Sequence, residues 1–228
     1  MALITLNDII DYVRKKSNED SDAFFTDEIL KTYINSVISS ICEECLVYEK
    51  LAKLLVEEST DGIYLPEDFI EIIEFYVNNK RYTQISFGDL KNYVGENATK
   101  KSAYLYYIRN NKLIVLNTDT GVIQDYSIHK DDELTLYYYA YYPKLENPTD
   151  AIQGEFRRQS MIDLIANGVI QKMLEQDELY NEAGYYAQQY EVGKMRLKKR
   201  NKFRSIGQVN WKCVNPNNPK FYRKYEDN

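Results

Sequence analysis

The chain has 228 residues, of which 44% are hydrophobic and 28% charged, values that exclude a disordered or fibrous protein and suffice for a sizeable core. No stretch approaches the apolar length that spans a bilayer, and the opening Met1-Ala2-Leu3-Ile4-Thr5-Leu6-Asn7-Asp8 lacks the basic and apolar regions of a signal peptide, so a protein made and kept in a cytosol is expected. The net charge of −6 is unevenly placed: from Glu191 onward eleven Lys and Arg stand against three acids, so an acidic body carries a basic end that can attract a negative partner.

Leu6, Ile9, Ile10 and Val13 recur at helical spacing behind Thr5 or Asn7 as N-caps, and the polar run 17–22 ends this first helix, predicted over 5–17. Thr26-Asp27-Glu28-Ile29 opens a second helix, 26–46, with acids in its first turn and an apolar stripe from Ile29 to Cys45. The period then changes to that of strands. Residues 50–58, 62–65, 71–77, 104–108, 113–116 and 133–142 read as strands, with Asn78-Asn79 and Arg109-Asn110-Asn111-Lys112 as turns, together an inserted block over 50–143. The last of these strands, ending at Pro143, carries apolar or aromatic side chains on both faces and should be covered on both sides. Helical periodicity returns after Asn147-Pro148-Thr149-Asp150, read as an N-capping sequence, giving helices over 151–175 and 177–200. Beyond Arg200 the periodicity ends, and Asn215-Pro216-Asn217-Asn218-Pro219 forbids a helix, so 202–228 is expected to be an extended basic and aromatic tail. The expected class is α+β: an α-helical bundle drawn from both chain ends, with an antiparallel strand block inserted and an extended C-terminal tail, in one domain over 1–201.

Few residues suggest chemistry. Cys42-Glu43-Glu44-Cys45 has CxxC spacing, but only His129 and Cys213 remain to complete a zinc site, and the motif falls near a helix C-terminus rather than the N-terminus that would activate a thiol. A structural role for the pair is the stronger reading, and metal or redox work the weaker. His129, alone in a polar turn, reads as a surface residue. No nucleophile elbow, phosphate loop or dinucleotide fingerprint is present, so no catalytic residue, cofactor or metal is assigned and the protein is not expected to be an enzyme. The 22 tyrosines instead point to contact surfaces. Tyr137, Tyr139 and Tyr141 on one face of the last strand, or Tyr138 and Tyr142 on the other, are candidate subunit-interface residues. The basic run Lys194, Arg196, Lys198, Lys199, Arg200, Lys202 and Arg204 admits three readings: a solvated or helix-capping face, docking to an acidic protein surface, or a grip on nucleic acid assisted by the nearby aromatics.

Three segments resemble the head-to-tail adaptor, or connector, proteins of tailed bacteriophages. Asp27-Glu28-Ile29-Leu30-Lys31-Thr32-Tyr33-Ile34-Asn35 is similar to the run that opens that family's long helix. Gly62-Ile63-Tyr64-Leu65-Pro66-Glu67-Asp68-Phe69-Ile70 is similar to its Y-x-L-P-x-D-F segment. Leu136-Tyr137-Tyr138-Tyr139-Ala140-Tyr141-Tyr142-Pro143-Lys144-Leu145 resembles its final strand. The resemblance covers about residues 5–200. It implies a structural virion protein at the head–tail junction, made in the host cytoplasm: a homo-oligomeric ring, usually a dodecamer, that docks on the portal, extends the DNA channel and meets an adjacent tail or ring protein. DNA would pass without sequence-specific binding, and no membrane is involved. It also implies that the chain end docks on the portal, which makes Lys202, Phe203, Arg204, Trp211, Lys212, Phe221, Tyr222, Arg223, Lys224 and Tyr225 the candidate docking residues. A nucleic-acid-binding module using the same basic tail is the alternative.

Overall fold

In the computed structural model, which describes residues 3–18, 24–54, 62–90, 104–117, 124–125 and 132–213, the first two helices begin where short polar side chains can cap them. Helix α1 (Leu6–Ser17) opens on a capping box, in which Thr5 Oγ1 accepts from the Asp8 N–H and Asp8 Oδ2 accepts from the Thr5 N–H at 2.7 Å. Asn18 then ends it in a left-handed conformation, φ 56°. Helix α2 (Asp27–Cys45) is capped by Thr26, whose Oγ1 accepts from the Ile29 N–H. The chain continues through strands β1 (Glu49–Leu54), β2 (Ile63–Tyr64), β3 (Phe69–Val77), β4 (Lys80–Gln84), β5 (Tyr104–Arg109), β6 (Lys112–Asn117), β7 (Gln124–Asp125) and β8 (Leu134–Ala140), with a short 3-10 turn at Phe87–Asp89. Helices α3 (Gln159–Gln176) and α4 (Tyr180–Cys213) follow a second 3-10 turn at Gly154–Arg157.

These elements divide into two compact units, one of residues 1–47 and 143–228, the other of residues 48–142. In the first, α3 is apolar nearly all round, burying residues from Met161 to Met173, and it packs against α1, α2 and α4. Asn35, in the α2 run that resembles the adaptors, clamps the segment after β8: its Nδ2 donates to the Leu145 carbonyl and its Oδ1 accepts from the Leu145 N–H, each at 2.9 Å. Helix α3 starts later than the N-capping reading of 147–150 implies. The Asp150 carboxylate accepts from the Glu146 and Asn147 N–H groups instead, and the following residues bridge to the chain start through Thr5 and Ala151.

The second unit is an eight-stranded mixed sheet in the order β1-β8-β3-β4-β5-β6-β2, with β7 on β6. Two of its hairpins close on Asn-Asn pairs, Asn78-Asn79 and Asn110-Asn111, all four with φ between 49° and 62°. Asn tolerates that region, and a turn left-handed at both central positions matches the twist of the strands it joins. Gly62 also has a positive φ, 106°, and its backbone lies so near β6 that a Cβ would meet the Leu113 carbonyl oxygen at 3.0 Å. The main core of the sheet is built on Phe75, whose ring meets those of Tyr82 and Tyr106 edge-on at 5.8 and 5.4 Å.

This architecture corrects the expected class. At the level of α+β the expectation agrees, but the strand block is not an antiparallel insert on a helical bundle. It is a compact unit with its own core, and its β4 and β5 run parallel, Thr83 facing Leu105 and Gln84 facing Tyr106. A parallel pair cannot be joined by a tight turn, and β4 and β5 are accordingly far apart in sequence, ending at Gln84 and beginning at Tyr104. The extended tail is corrected over 202–213, where α4 runs on to Cys213, well past the Arg200 at which apolar periodicity ends; residues 214–228 lie outside the described residues. A helix can continue on intrinsic propensity and backbone bonding where no apolar face directs it, and the run beyond Arg200 holds no proline before Pro216.

Candidate interaction surface

Strand β8 sorts its tyrosines by alternation. Tyr138 belongs to the sheet core and, 2% exposed, donates from its hydroxyl to Asp68 Oδ1 at 2.9 Å, while Tyr142, just past the strand, is buried beside the Tyr48 ring. Burial, reinforced by that bond to a carboxylate, pushes the Tyr138 hydroxyl well above the usual phenol range. Asp68 also takes Lys50 Nζ at 2.5 Å, and its carbonyl accepts from the Tyr141 N–H. Tyr138 and Tyr142 are therefore spent inside their own unit, while Tyr139 and Tyr141 are half-buried. Tyr137 is the exposed one, at 39%.

Around Tyr137 a surface forms that no sequence signal marked. Leu51 lies directly opposite it on β1 and is 52% exposed. On the other side Tyr76 of β3 meets the Tyr137 ring edge-on at 6.1 Å and donates its hydroxyl to Glu74 at 2.7 Å. Charged pairs ring this apolar centre: Lys53 with Glu133 at 2.8 Å and Arg81 with Glu74 at 3.3 Å. Exposed ion pairs of this kind add little to stability. An apolar centre inside a charged rim has the composition of a protein–protein contact. Leu51 and Tyr76 escaped sequence reading because only the pairing register brings them to Tyr137.

In the first half of the basic run, Lys194 to Arg200, most of the charges serve the protein itself. Lys194, 6% exposed at its side chain, binds Glu44 at 2.8 Å and Glu191 at 2.7 Å, and its ammonium sits 4.6 Å from the centre of the Tyr190 ring. Lys198 binds the other Glu44 oxygen at 3.0 Å, and Arg200 binds Glu155 at 2.8 Å. Burial opposes the Lys194 charge, yet its bonds to Glu191 and Glu44 outweigh that and raise its pKa. Glu44 is pulled down to about 2, chiefly by the bond from Lys194. Only Arg196 and Lys199 of this stretch are exposed without a described ion pair. Lys202, Phe203, Arg204, Trp211 and Lys212 fall on the backbone of α4, with their side chains outside the described residues, as are Phe221, Tyr222, Arg223, Lys224 and Tyr225 altogether.

The CxxC pair is packed away. Cys42 and Cys45 are both buried, the Cys45 Sγ lies 3.9 Å from the Lys194 carbonyl, and burial pushes its thiol up to about 11. A thiol so buried and so weakly acidic is a core residue, as the stronger sequence reading has it. Among the described residues no group of His, Cys, Asp or Glu is placed to hold a metal ion, and no helix is long and apolar enough to cross a membrane. His129 lies outside the described residues.

Comparison with known proteins agrees with the resemblance. The family model described as SU10 adaptor protein matches residues 4–211. The match spans most of the chain, so the protein belongs to that family and is a structural adaptor of a bacteriophage. No curated protein matches the sequence.

Proposed function

We propose that this SU10 adaptor assembles side by side with copies of itself into a ring, a dodecamer in the form its resemblance implies, which docks on the portal, extends the DNA channel and joins capsid to tail. The family match over residues 4–211 carries the reading. Charge supports it: about −14 over residues 1–190 suits a channel wall past which DNA slides without sequence-specific binding. The sheet face of Leu51, Tyr76 and Tyr137, with Tyr139 and Tyr141 beside Tyr137 in sequence, is the contact offered to a neighbouring subunit or to the adjacent tail or ring protein. Tyr138 and Tyr142 serve it indirectly by holding β8 in place. The chain end docks on the portal, with Phe203, Trp211, Phe221, Tyr222 and Tyr225 as anchors and Lys202, Arg204, Lys212, Arg223 and Lys224 as steering charges.

Two truncations test the docking. A chain ending at Cys213 loses the last aromatic and basic cluster, and one ending at Asn201 loses both. Co-sedimentation with portal rings should fall about tenfold or more with the first and further with the second, the size of loss expected when anchors are removed. Undiminished binding by both would remove the tail from the docking role. Filter binding to duplex DNA addresses the nucleic-acid alternative, which the ion pairing of Lys194, Lys198 and Arg200 already disfavours. Submicromolar affinity that drops steeply with salt would favour that alternative.

A further inference from the structure

The tip of the β5–β6 hairpin carries a second surface of different chemistry. Arg109 and Lys112 face each other across the Asn110-Asn111 turn, and each cation rests on an exposed ring. The Arg109 guanidinium carbon is 5.7 Å from the centre of Phe87, and Lys112 Nζ is 4.5 Å from the centre of Tyr64. Those rings are 60% and 61% exposed. Neither cation has an ion pair among the described residues. In a body that is strongly acidic over residues 1–190, the hairpin tip sets two cations held against aromatic faces side by side. Ring contact restricts the side chains before any partner arrives, which lowers the cost of ordering them on binding.

The turn between α3 and α4 has the complementary character. Leu179, Tyr180 and Tyr185 are exposed there, and Glu178 and Glu182 stand among them with no ion pair in the described residues. We propose that the hairpin tip of one copy docks on the α3–α4 turn of the next, Arg109 and Lys112 meeting Glu178 and Glu182 while Tyr64 and Phe87 meet Leu179, Tyr180 and Tyr185. A contact between two different patches is heterologous, so its repetition closes a ring if the rotation allows. The inference rests on the ring reading and names its lateral contact. A protein partner is favoured over DNA because the bases of a duplex are stacked and offer no face to Tyr64 or Phe87, whereas aromatic residues and Arg are enriched at protein interfaces.

Charge reversal in the full chain tests it, with sedimentation velocity and native mass spectrometry of the protein alone and with portal rings. Arg109→Glu with Lys112→Glu reverses the tip, and Glu178→Lys with Glu182→Lys reverses the turn. Each reversed protein alone should lose about tenfold or more in self-association. An equimolar mixture of the two should recover it, since alternating copies then pair opposite charges at every contact. That recovery also shows that both variants are folded. Wild-type assembly by both reversed proteins, or loss with no recovery in the mixture, overturns the inference and leaves the ring standing. A wild-type chain that stays monomeric alone and with portal overturns the ring and this contact together. Loss of duplex-DNA binding on tip reversal with assembly unchanged overturns it in favour of a nucleic-acid contact.

Discussion

Buried on α4, the Lys194 ammonium would be costly without the two carboxylates that meet it, and Glu44 is the one supplied by another helix. Glu44→Gln should destabilise the protein at neutral pH by roughly 1–3 kcal/mol, because a buried charged donor loses its cross-helix partner. The pH dependence has a definite sign. A carboxyl lowered from 4.5 to about 2 contributes stability that is complete above pH 4.5 and is lost as pH falls toward 2. The urea midpoint of the wild type should therefore drop across that interval more than the midpoint of Glu44→Gln, and parallel curves would show that the pair contributes nothing. Lys194 works the other way: its raised pKa adds stability that is whole below pH 10.5 and disappears only above the raised value. Nothing in the sequence joins these residues, because Glu44 reads as part of a CxxC motif and Lys194 as the start of a basic run. Thr5 was legible as one of two N-cap choices and Thr26-Asp27-Glu28-Ile29 as a helix start, because the groups that cap a helix lie within one turn; the bond that Asp8 returns to the Thr5 N–H was not read.

At the scale of elements, α3 and α4 approach closely at two glycines. A Cβ on Gly193 would sit 2.5 Å from Leu164 Cδ1, and one on Gly168 would lie 3.0 Å from both Tyr190 and Val37. Gly184, on the same helix as Gly193, has nothing within 4 Å of a Cβ. The two α4 glycines should therefore answer oppositely to the same substitution. Gly184→Ala should stabilise by about 0.5–1 kcal/mol through helix propensity alone. Gly193→Ala should destabilise by about 1–2 kcal/mol net, since overpacking against buried Leu164 exceeds the propensity gained. Chemical denaturation of both variants decides it, and equal stabilisation would mean that α3 and α4 are not in this contact. Among the strands, Asn78-Asn79 was readable as a turn and Asn110-Asn111 as part of a hairpin loop from their turn chemistry. Strand β4 was not, because Lys80-Arg81-Tyr82-Thr83-Gln84 buries only Tyr82 and reads as a polar loop, and with β4 unseen the parallel pairing to β5 could not be inferred.

At the scale of the whole molecule, residues of the three adaptor-like segments hydrogen-bond to one another. Asn35 of the first segment holds Leu145 of the third, and Asp68 of the second accepts from Tyr138 of the third. The exposed surfaces were less legible: strand alternation offered Tyr137, Tyr139 and Tyr141 or Tyr138 and Tyr142 without choosing between the faces, while the Leu51–Tyr76 setting and the cations at the hairpin tip depend on long-range register. The sheet unit begins and ends at adjacent points. β1 pairs with β8 from Glu49 opposite Tyr139 onward, the Ala140 N–H donates to the Tyr48 carbonyl at 2.8 Å, and the Tyr48 and Tyr142 rings lie 4.9 Å apart. A unit whose two ends are already joined by hydrogen bonds needs no outside segment to close it, and 48–142 has its own apolar core and lies within the ordinary size of a domain. Residues 48–142 produced alone should therefore fold cooperatively, with a β-type circular dichroism spectrum, dispersed amide resonances and a single sigmoidal urea transition. Substituting Phe75→Ala at the centre of that core should lower its stability by about 3–5 kcal/mol. An excised fragment with collapsed amide dispersion and no transition would mean that the sheet borrows its stability from the helices.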